Sequence, residues 1–298
     1  MMVVDTLHAI AEQVFGTAPD TSHYLGSTLN HTAQIAVRNE HYFVKWKADA
    51  PSRFFDTEAR GLTLLGDASA IRVPIVIAHR EASGGLPAFL ILEWIDEAAQ
   101  GPSRQFAANF GHALARLHRT TQPTFGLDFD NFIGELPQSN QPTASWPAFY
   151  RDQRIAPQVV LAGQRGNLPP ARDSLLNKLM DRLEDLLSGT SSTPSLLHGD
   201  LWSGNFLVAA NDQPVVVDPA VYYGEREIEI AFTELFGGFP AGFLNAYHEA
   251  LPLEPGYADR RALYQLYPLL VHLNLFGESY GQRVDAICRH YVEGSARS

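Results

Sequence analysis

The sequence predicts an α+β fold of two lobes, a small β-rich lobe over residues 1–95 and a larger, mainly helical lobe over 96–298. Three observations predict it. Strand-like runs with turn signals fill most of the first 95 residues, with one internal amphipathic helix. After Gly101-Pro102 the apolar residues recur at a helical period. Late in the chain, Leu196-Leu197 and Val215-Val216-Val217 flank a polar loop.

The elements follow in order. Asp5 caps a short helix to Phe15, with Leu7, Ile10 and Val14 on one face and Gly16 as its stop. Ala33 to Arg38 and His41 to Trp46 read as a hairpin across Asn39-Glu40. Ser52 caps a helix to about Leu65 whose inner face carries Phe55, Glu58, Leu62 and Leu65. A strand spans Val73 to Ala78, and a turn from Arg80 to Pro87 holds Gly84-Gly85. Ala88 to Trp94 is an apolar strand.

In the second lobe Phe106, Phe110, Leu114 and Leu117 mark a helix ending near His118. Thr120 to Pro147 is a long loop rich in Asn, Gln, Pro and Gly, and Trp146 to Ala162 is helical. Leucines line one side of a helix over Ser174 to Leu187, with Gly189 as its stop. Ile228 to Val292 is mostly helical, and the run Leu235-Phe-Gly237-Gly238-Phe239-Pro240 makes a sharp turn between helices.

Composition excludes several classes. The 298 residues are 45% apolar and carry a net charge of −11, which suits a globular chain and opposes nucleic acid or anionic membranes. No stretch approaches the ~20 apolar residues of a membrane span, and the N-terminus lacks a signal-peptide pattern. Cys288, in a helical apolar context, is the one cysteine, so no intrachain disulfide forms. A reduced, cytoplasmic protein, monomeric or weakly dimeric, is the expectation. Of 22 basic residues only Lys45, Lys47 and Lys178 are lysines.

The chemistry lies in His198-Gly199-Asp200-Leu201-Trp202-Ser203-Gly204-Asn205, followed by Asp218-Pro219 after the valine run. Phosphoryl transfer to a hydroxyl uses such a set. A carboxylate takes the hydroxyl proton, and oxygen ligands hold Mg²⁺ against the phosphates of ATP. The protein-kinase pattern H-R-D-L-x-x-x-N followed by D-F-G has the same order and spacing. On that pattern Asp200 is the base, Asn205 and Asp218 are Mg²⁺ ligands, and His198 holds the loop.

That pattern also asks for a lysine on an inner strand paired with a helix glutamate. Lys45 and Glu58 fill the two places, since a carboxylate on an apolar face needs a cation. Lys47 shares the strand parity of Lys45, so alternation alone does not choose between them. Glu93, Trp94 and Ile95 end the last strand before the lobes change and form the hinge that reads adenine with backbone groups. The phosphate loop is Leu25-Gly26-Ser27-Thr28-Leu29-Asn30, with a single glycine.

The segment HGDLWSGN (198–205) resembles the catalytic loop of the fructosamine kinase, or ketosamine-3-kinase, family, a relative of aminoglycoside phosphotransferases and choline kinases. Asp218-Pro-Ala-Val-Tyr222-Tyr223-Gly224-Glu-Arg226-Glu227 and Leu235-Phe-Gly-Gly-Phe239 are similar to that family's DPA-x-YYG-x-RE and LFGGF segments. Residues 125–134 and 146–154 are similar as well, so the likeness covers nearly the whole chain. It implies a protein-kinase-like fold and ATP-dependent phosphorylation of the 3-hydroxyl of a fructosamine or ribulosamine. The acceptor is free or carried on a protein amine, and the reaction repairs glycation. The same likeness makes Asp200 the proton acceptor, Asn205 and Asp218 the metal holders, and Glu93, Trp94 and Ile95 the adenine lining.

Trp202 either walls a sugar ring or packs the loop. Tyr222, Tyr223 and Arg226 either shape the substrate site or brace the loop. Two other functions compete: a kinase for an aminoglycoside or choline, and a non-catalytic kinase fold that only binds.

Overall fold

A computed structural model describes residues 3–188 and 193–294. Gly189, expected to stop a helix, lies outside the described residues.

The first element is helix α1 (Val3–Phe15), which buries Leu7, Ile10 and Ala11 and ends at Gly16 with φ +72°. It already includes Asp5, so Asp5 sits in the first turn, where the helix dipole favours an acid, and is not the cap. Five antiparallel strands follow: β1 (Thr21–Ser27), β2 (His31–Val37), β3 (Glu40–Lys47), β4 (Val76–Arg80) and β5 (Ala88–Glu93). Their order in the sheet is β1-β2-β3-β5-β4. The sequence pattern does not announce β1, because nearly all its residues are exposed and no alternation marks it.

The β2–β3 hairpin turns on Arg38 and Asn39, with φ +54° and +66°, as a type I′ turn requires. Glu40 therefore pairs with Val37 inside the ladder, one residue away from the expected Asn39-Glu40 turn. Helix α2 spans Phe54–Asp67. Ser52 does not cap it: the chain enters through Arg53 at φ +65°, whose N–H donates to Glu81. The strand expected at Val73 starts at Val76 instead. Pro74 has no N–H to give a ladder, and Ile75 exchanges bonds with Glu93.

Helix α3 (Arg104–Leu117) starts from Ser103, whose Oγ accepts the Phe106 N–H at 3.0 Å. The expected long loop contains a small hairpin, β6 (Asn131–Ile133) and β7 (Leu136–Gln138). The helix expected over 146–162 is three pieces: α4 (Trp146–Phe149), a π-helical turn (Tyr150–Ile155) and α5 (Ala156–Gln164). Pro157 explains the break, since it cannot donate to the Gln153 carbonyl; Arg154 does so at 2.9 Å. Helices α6 (Pro170–Asp181) and α7 (Leu183–Leu186) replace one expected helix and still bury Leu176, Leu179 and Leu183.

Strands β8 (Ser195–Leu197) and β11 (Tyr222–Gly224) pair, as do β9 (Phe206–Ala209) and β10 (Gln213–Val216). Helices α8 (Arg226–Leu235), α9 (Phe243–Ala250), α10 (Tyr257–Phe276) and α11 (Gly281–Glu293) complete the chain. The largest core cluster gathers Trp146, Phe149, Tyr150, Tyr264 and Leu270 around α10. Helices α3 and α9 cross closely at Gly111, where a Cβ would lie 2.4 Å from the Phe243 carbonyl. Cys288, on α11, is buried in the cluster around α10 as a small apolar residue, its thiol pushed up to about 12 by burial. Among the described residues no helix is long and apolar enough to cross a membrane.

Candidate active site

Strand β3 lies between β2 and β5, which puts Lys45 at the centre of the sheet with 3% of its surface exposed. Its Nζ donates to Glu58 Oε1 at 2.7 Å and to Asp218 Oδ1 at 2.5 Å. Burial alone would pull the ammonium's pKa down. The Asp218 and Glu58 carboxylates outweigh it and hold the group above the ordinary lysine range. Lys47, on the same strand face, donates instead to the Leu29 carbonyl at 3.1 Å and does not reach the cavity. Long-range packing thus separates two lysines that alternation left equal.

Asp218 follows β10 and has φ +58°, uncommon for a residue with a side chain and more so before a proline. Val217 is held between the Asn205 carbonyl, which accepts its N–H at 3.0 Å, and His198 Nε2 at 2.9 Å from its own carbonyl. His198 is buried and its pKa is lowered by that burial, so the ring is neutral. Its Nε2–H serves Val217 and its Nδ1 accepts the Asp200 N–H at 3.3 Å. The ring is fully used in holding two loops, and no proton is left for chemistry.

The turn between His198 and Asp200 depends on Gly199, at φ +85°. A Cβ there would lie 2.0 Å from the Ala220 carbonyl. Beyond it, Asn205 Nδ2 donates to both the Asp200 carbonyl, at 2.8 Å, and its Oδ2, at 3.0 Å. Burial, reinforced by the charge of Asp218 and opposed by the Asn205 bond, pushes the Asp200 carboxyl up to about 8. Such a carboxyl takes and releases a proton near neutral pH, as a general base must.

A cavity of about 200 Å³ unites these groups. Lys45, Glu58, Asp200, Trp202, Asn205 and Asp218 line it, together with Thr28, Leu29 and Asn30 from the β1–β2 turn and Asn131, Phe132 and Gly134 from the β6–β7 hairpin. Trp202 is 40% exposed, and its ring covers Gly204, where a Cβ would lie 2.3 Å from the indole. The donor set fits a divalent cation of the magnesium kind. Mg²⁺ takes one or two protein carboxylates and completes its shell with phosphates and water. Asp218 and the Asn205 carboxamide oxygen offer that minimal set, and among the described residues no group of three or more His, Cys, Asp or Glu forms a full protein cage.

Other predicted residues lie outside the cavity. Glu93 turns its carboxylate to Arg72 Nη2, at 2.5 Å, and to the Ile75 N–H, at 3.1 Å. Trp94 Nε1 donates to Asp96, and Ile95 packs on Ala209 and Val215. All three stand at the end of β5 with their side chains committed elsewhere; the Glu93 N–H is also taken, by the Ile75 carbonyl at 2.8 Å, which leaves the backbone of Trp94 and Ile95 as the part open to a ligand. Tyr222 and Arg226 do not line the cavity. Tyr222 is 1% exposed, stacked on Phe149 and beneath the Arg154 guanidinium at 3.8 Å. Arg226 donates to the Tyr247 hydroxyl and to the Leu251 and Pro252 carbonyls, bracing α8 against the end of α9.

Sequence reasoning missed Glu229. From α8 its buried carboxylate accepts the N–H groups of His198 at 3.2 Å and Gly199 at 2.7 Å, and meets His118 Nε2 at 2.9 Å. Burial would raise its pKa, but the His118 contact and the Gly199 N–H bond lower it. The one available signal was an acid set between Ile228 and Ile230 on a helix. Asn131 donates to the Val221 carbonyl at 2.8 Å and so ties the β6–β7 hairpin to the segment after Asp218.

Comparison with known proteins places this geometry. The profile of the family described as fructosamine kinase matches residues 3–293. A probable ketoamine kinase of Enterococcus faecium is 41% identical over 267 residues, covering 90% of this chain and 93% of that one. The crystal structure of a candidate fructosamine-3-kinase from Thermobifida fusca superposes with a TM-score of 0.87 at 35% identity, covering 97% and 99% of the two chains. An aminoglycoside phosphotransferase structure, 18% identical with a TM-score of 0.67 over 96% and 98% of the chains, shares the fold alone.

Proposed function

The chain belongs to the fructosamine kinase family, and from that premise we propose that its cleft moves the terminal phosphoryl group of ATP to the 3-hydroxyl of a ketosamine. The acceptor is a fructosamine or ribulosamine, free or carried on a protein amine. Phosphorylation there makes the adduct unstable, so the outcome is repair of glycation.

The observation that carries this reading is the meeting of Lys45, Glu58, Asp200, Asn205 and Asp218 around one cavity, drawn from segments up to 173 residues apart. Asp200 accepts the proton as the acceptor hydroxyl attacks phosphorus and ADP departs. Asn205 Nδ2 holds its carboxylate in place, and Glu229 holds the loop beneath it through two backbone N–H groups. Lys45 meets the nucleotide phosphates and Glu58 orients it. Asn205 and Asp218 would hold Mg²⁺, which when bound neutralises charge on the phosphates. The 28–30 turn covers the phosphates with backbone N–H groups and the Thr28 hydroxyl. The backbone of Trp94 and Ile95 faces the adenine, and Trp202 walls the sugar.

The test is ATP turnover on fructosamine, ribulosamine and aminoglycoside acceptors, with Asp200→Asn as control. Phosphorylation of ketosamines alone, lost in Asp200→Asn, is expected. Turnover of aminoglycosides but of no ketosamine would remove the substrate reading.

A further inference from the structure

The second lysine of the central strand has no part in the chemistry above. Lys47 shares a strand face with Lys45 but stands outside the cavity. Its Nζ donates to the Leu29 carbonyl at 3.1 Å and lies 3.7 Å from both Asp49 and Glu135. Leu29 belongs to the β1–β2 turn that lines the cavity, and Glu135 to the turn of the β6–β7 hairpin. The Leu29 side chain also rests on that hairpin, its Cδ1 3.5 Å from where a Cβ on Gly134 would stand. Lys47 thus holds one peptide of the cavity-lining turn beside the hairpin of the other lobe.

The other side of that peptide carries a free donor. The Thr28 N–H is taken by the Asn30 carbonyl at 3.3 Å, whereas the N–H groups of Leu29 and Asn30 have no partner among the described residues. The Leu29–Asn30 peptide is trans, so the Asn30 N–H points opposite to the carbonyl that Lys47 holds. Leu29 and Asn30 line the cavity and Lys47 does not, so a carbonyl turned out to Lys47 turns the N–H in. Gly26, the one glycine of the loop, lies before the turn at an irregular step of the β1–β2 ladder, and residues 27–30 have none. The turn therefore lacks the free rotation by which a glycine peptide adapts to a ligand, and a partner outside it fixes the peptide.

We infer that Lys47 is a positioning residue for the nucleotide: by holding the Leu29 carbonyl it aims the Asn30 N–H at an ATP phosphate. The inference rests on the ATP reading above. Two lysines on one strand face then act differently. Lys45 meets phosphate with its own charge, and Lys47 acts through a backbone N–H. Without Lys47 the peptide is free to turn, and losing a hydrogen bond to a charged group weakens binding by about tenfold. The N–H meets the phosphate in ground state and transition state alike, so the loss falls on affinity and spares turnover.

The experiment measures the affinities of ATP and of adenosine by calorimetry, on the full chain with Mg²⁺ and no acceptor, for the wild type, Lys47→Met and Lys47→Arg. Tm is recorded for each. The titrations are run at low salt and at about 1 M salt, where attraction between separated charges is screened beyond about 3 Å. Lys47→Met should weaken ATP about tenfold at both salts and leave adenosine, which has no phosphate, unchanged. Lys47→Arg keeps a donor and should stay close to the wild type. With a ketosamine acceptor, KM for ATP should rise about tenfold in Lys47→Met while kcat at saturating ATP keeps most of its value. Equal ATP affinity in wild type and Lys47→Met, an equal loss for adenosine, or a loss that vanishes at high salt would overturn the aiming role and leave the kinase reading intact. If the wild type binds no ATP, the nucleotide reading itself falls and takes this role with it.

Discussion

Lys45 Nζ lies 2.5 Å from Asp218 Oδ1, a contact between the central strand of the N-terminal sheet and the segment after β10. With Glu58 at 2.7 Å, one buried ammonium serves two carboxylates. Removing it leaves Glu58, 13% exposed, without its cation; Asp218, 48% exposed, can still reach water. Lys45→Ala should therefore lower stability by about 2–4 kcal/mol, below the full cost of orphaning two buried charges, and abolish turnover. Lys47→Ala loses one bond to the Leu29 carbonyl and two long ion pairs, and should cost about 1 kcal/mol or less with most activity kept. Urea unfolding and ATP turnover of both variants check the pair.

Asp200 is held in a state the fold disfavours when ionised. Its folded pKa of about 8 stands above the ordinary 3.8, so the unfolded chain gives up this proton first as pH rises. The group's contribution is fully present below about 3.8 and is lost as pH rises through 8. Asp200→Asn removes the charge. The variant should be inactive yet more heat-stable than the wild type, with a Tm gain that grows between about pH 4 and 8 and then levels off. Each kcal/mol of that gain moves Tm by about 2–4 °C in a chain of this size. A gain independent of pH would rule out the ionisation as its source.

The sequence disclosed the site unevenly, and the reasons are physical. Asp200, Asn205 and Asp218 were legible because their roles need fixed residue types at fixed spacing. Glu58 was legible because a carboxylate on an apolar helix face demands a partner. The choice of Lys45 over Lys47 was not, since both share a strand face and only a contact 173 residues away separates them. Glu229 was hidden because it binds backbone N–H groups, which leave no mark on the residues that carry them. Strand β1 and the β6–β7 hairpin were hidden because an exposed edge and a three-residue strand show no alternation.

Tyr222 and Arg226 lie outside the cavity and brace the protein, and bracing and acceptor contact differ in what a mutation moves. Arg226→Met loses bonds to the Tyr247 hydroxyl and two carbonyls at the end of α9. It should cost about 1–3 kcal/mol of stability while KM for the acceptor changes less than threefold, since the residue lies outside the cavity. Tyr222→Phe, which keeps the stacked ring on Phe149, should be milder still. A tenfold rise in acceptor KM at unchanged Tm would restore the substrate role.

Glu229 sets the floor of the catalytic loop, and its test has a pH signature. Its folded pKa lies below the ordinary 4.5, so its contribution is present above 4.5 and lost as pH falls through the folded value. Gln at this position keeps one acceptor oxygen but places an NH₂ against either the Gly199 N–H or the His198 N–H together with His118. A buried donor facing a donor is an unsatisfied pair, and charged hydrogen bonds of this kind are worth about 1.5–3 kcal/mol each. Glu229→Gln should therefore cost about 3 kcal/mol at pH 7, and the gap to the wild type should close below pH 4.5. Because the loop it supports carries Asp200, kcat should fall at least tenfold even at temperatures where the variant is fully folded, while the affinity for ATP changes little. Full kcat in a folded, destabilised variant would confine Glu229 to stability alone.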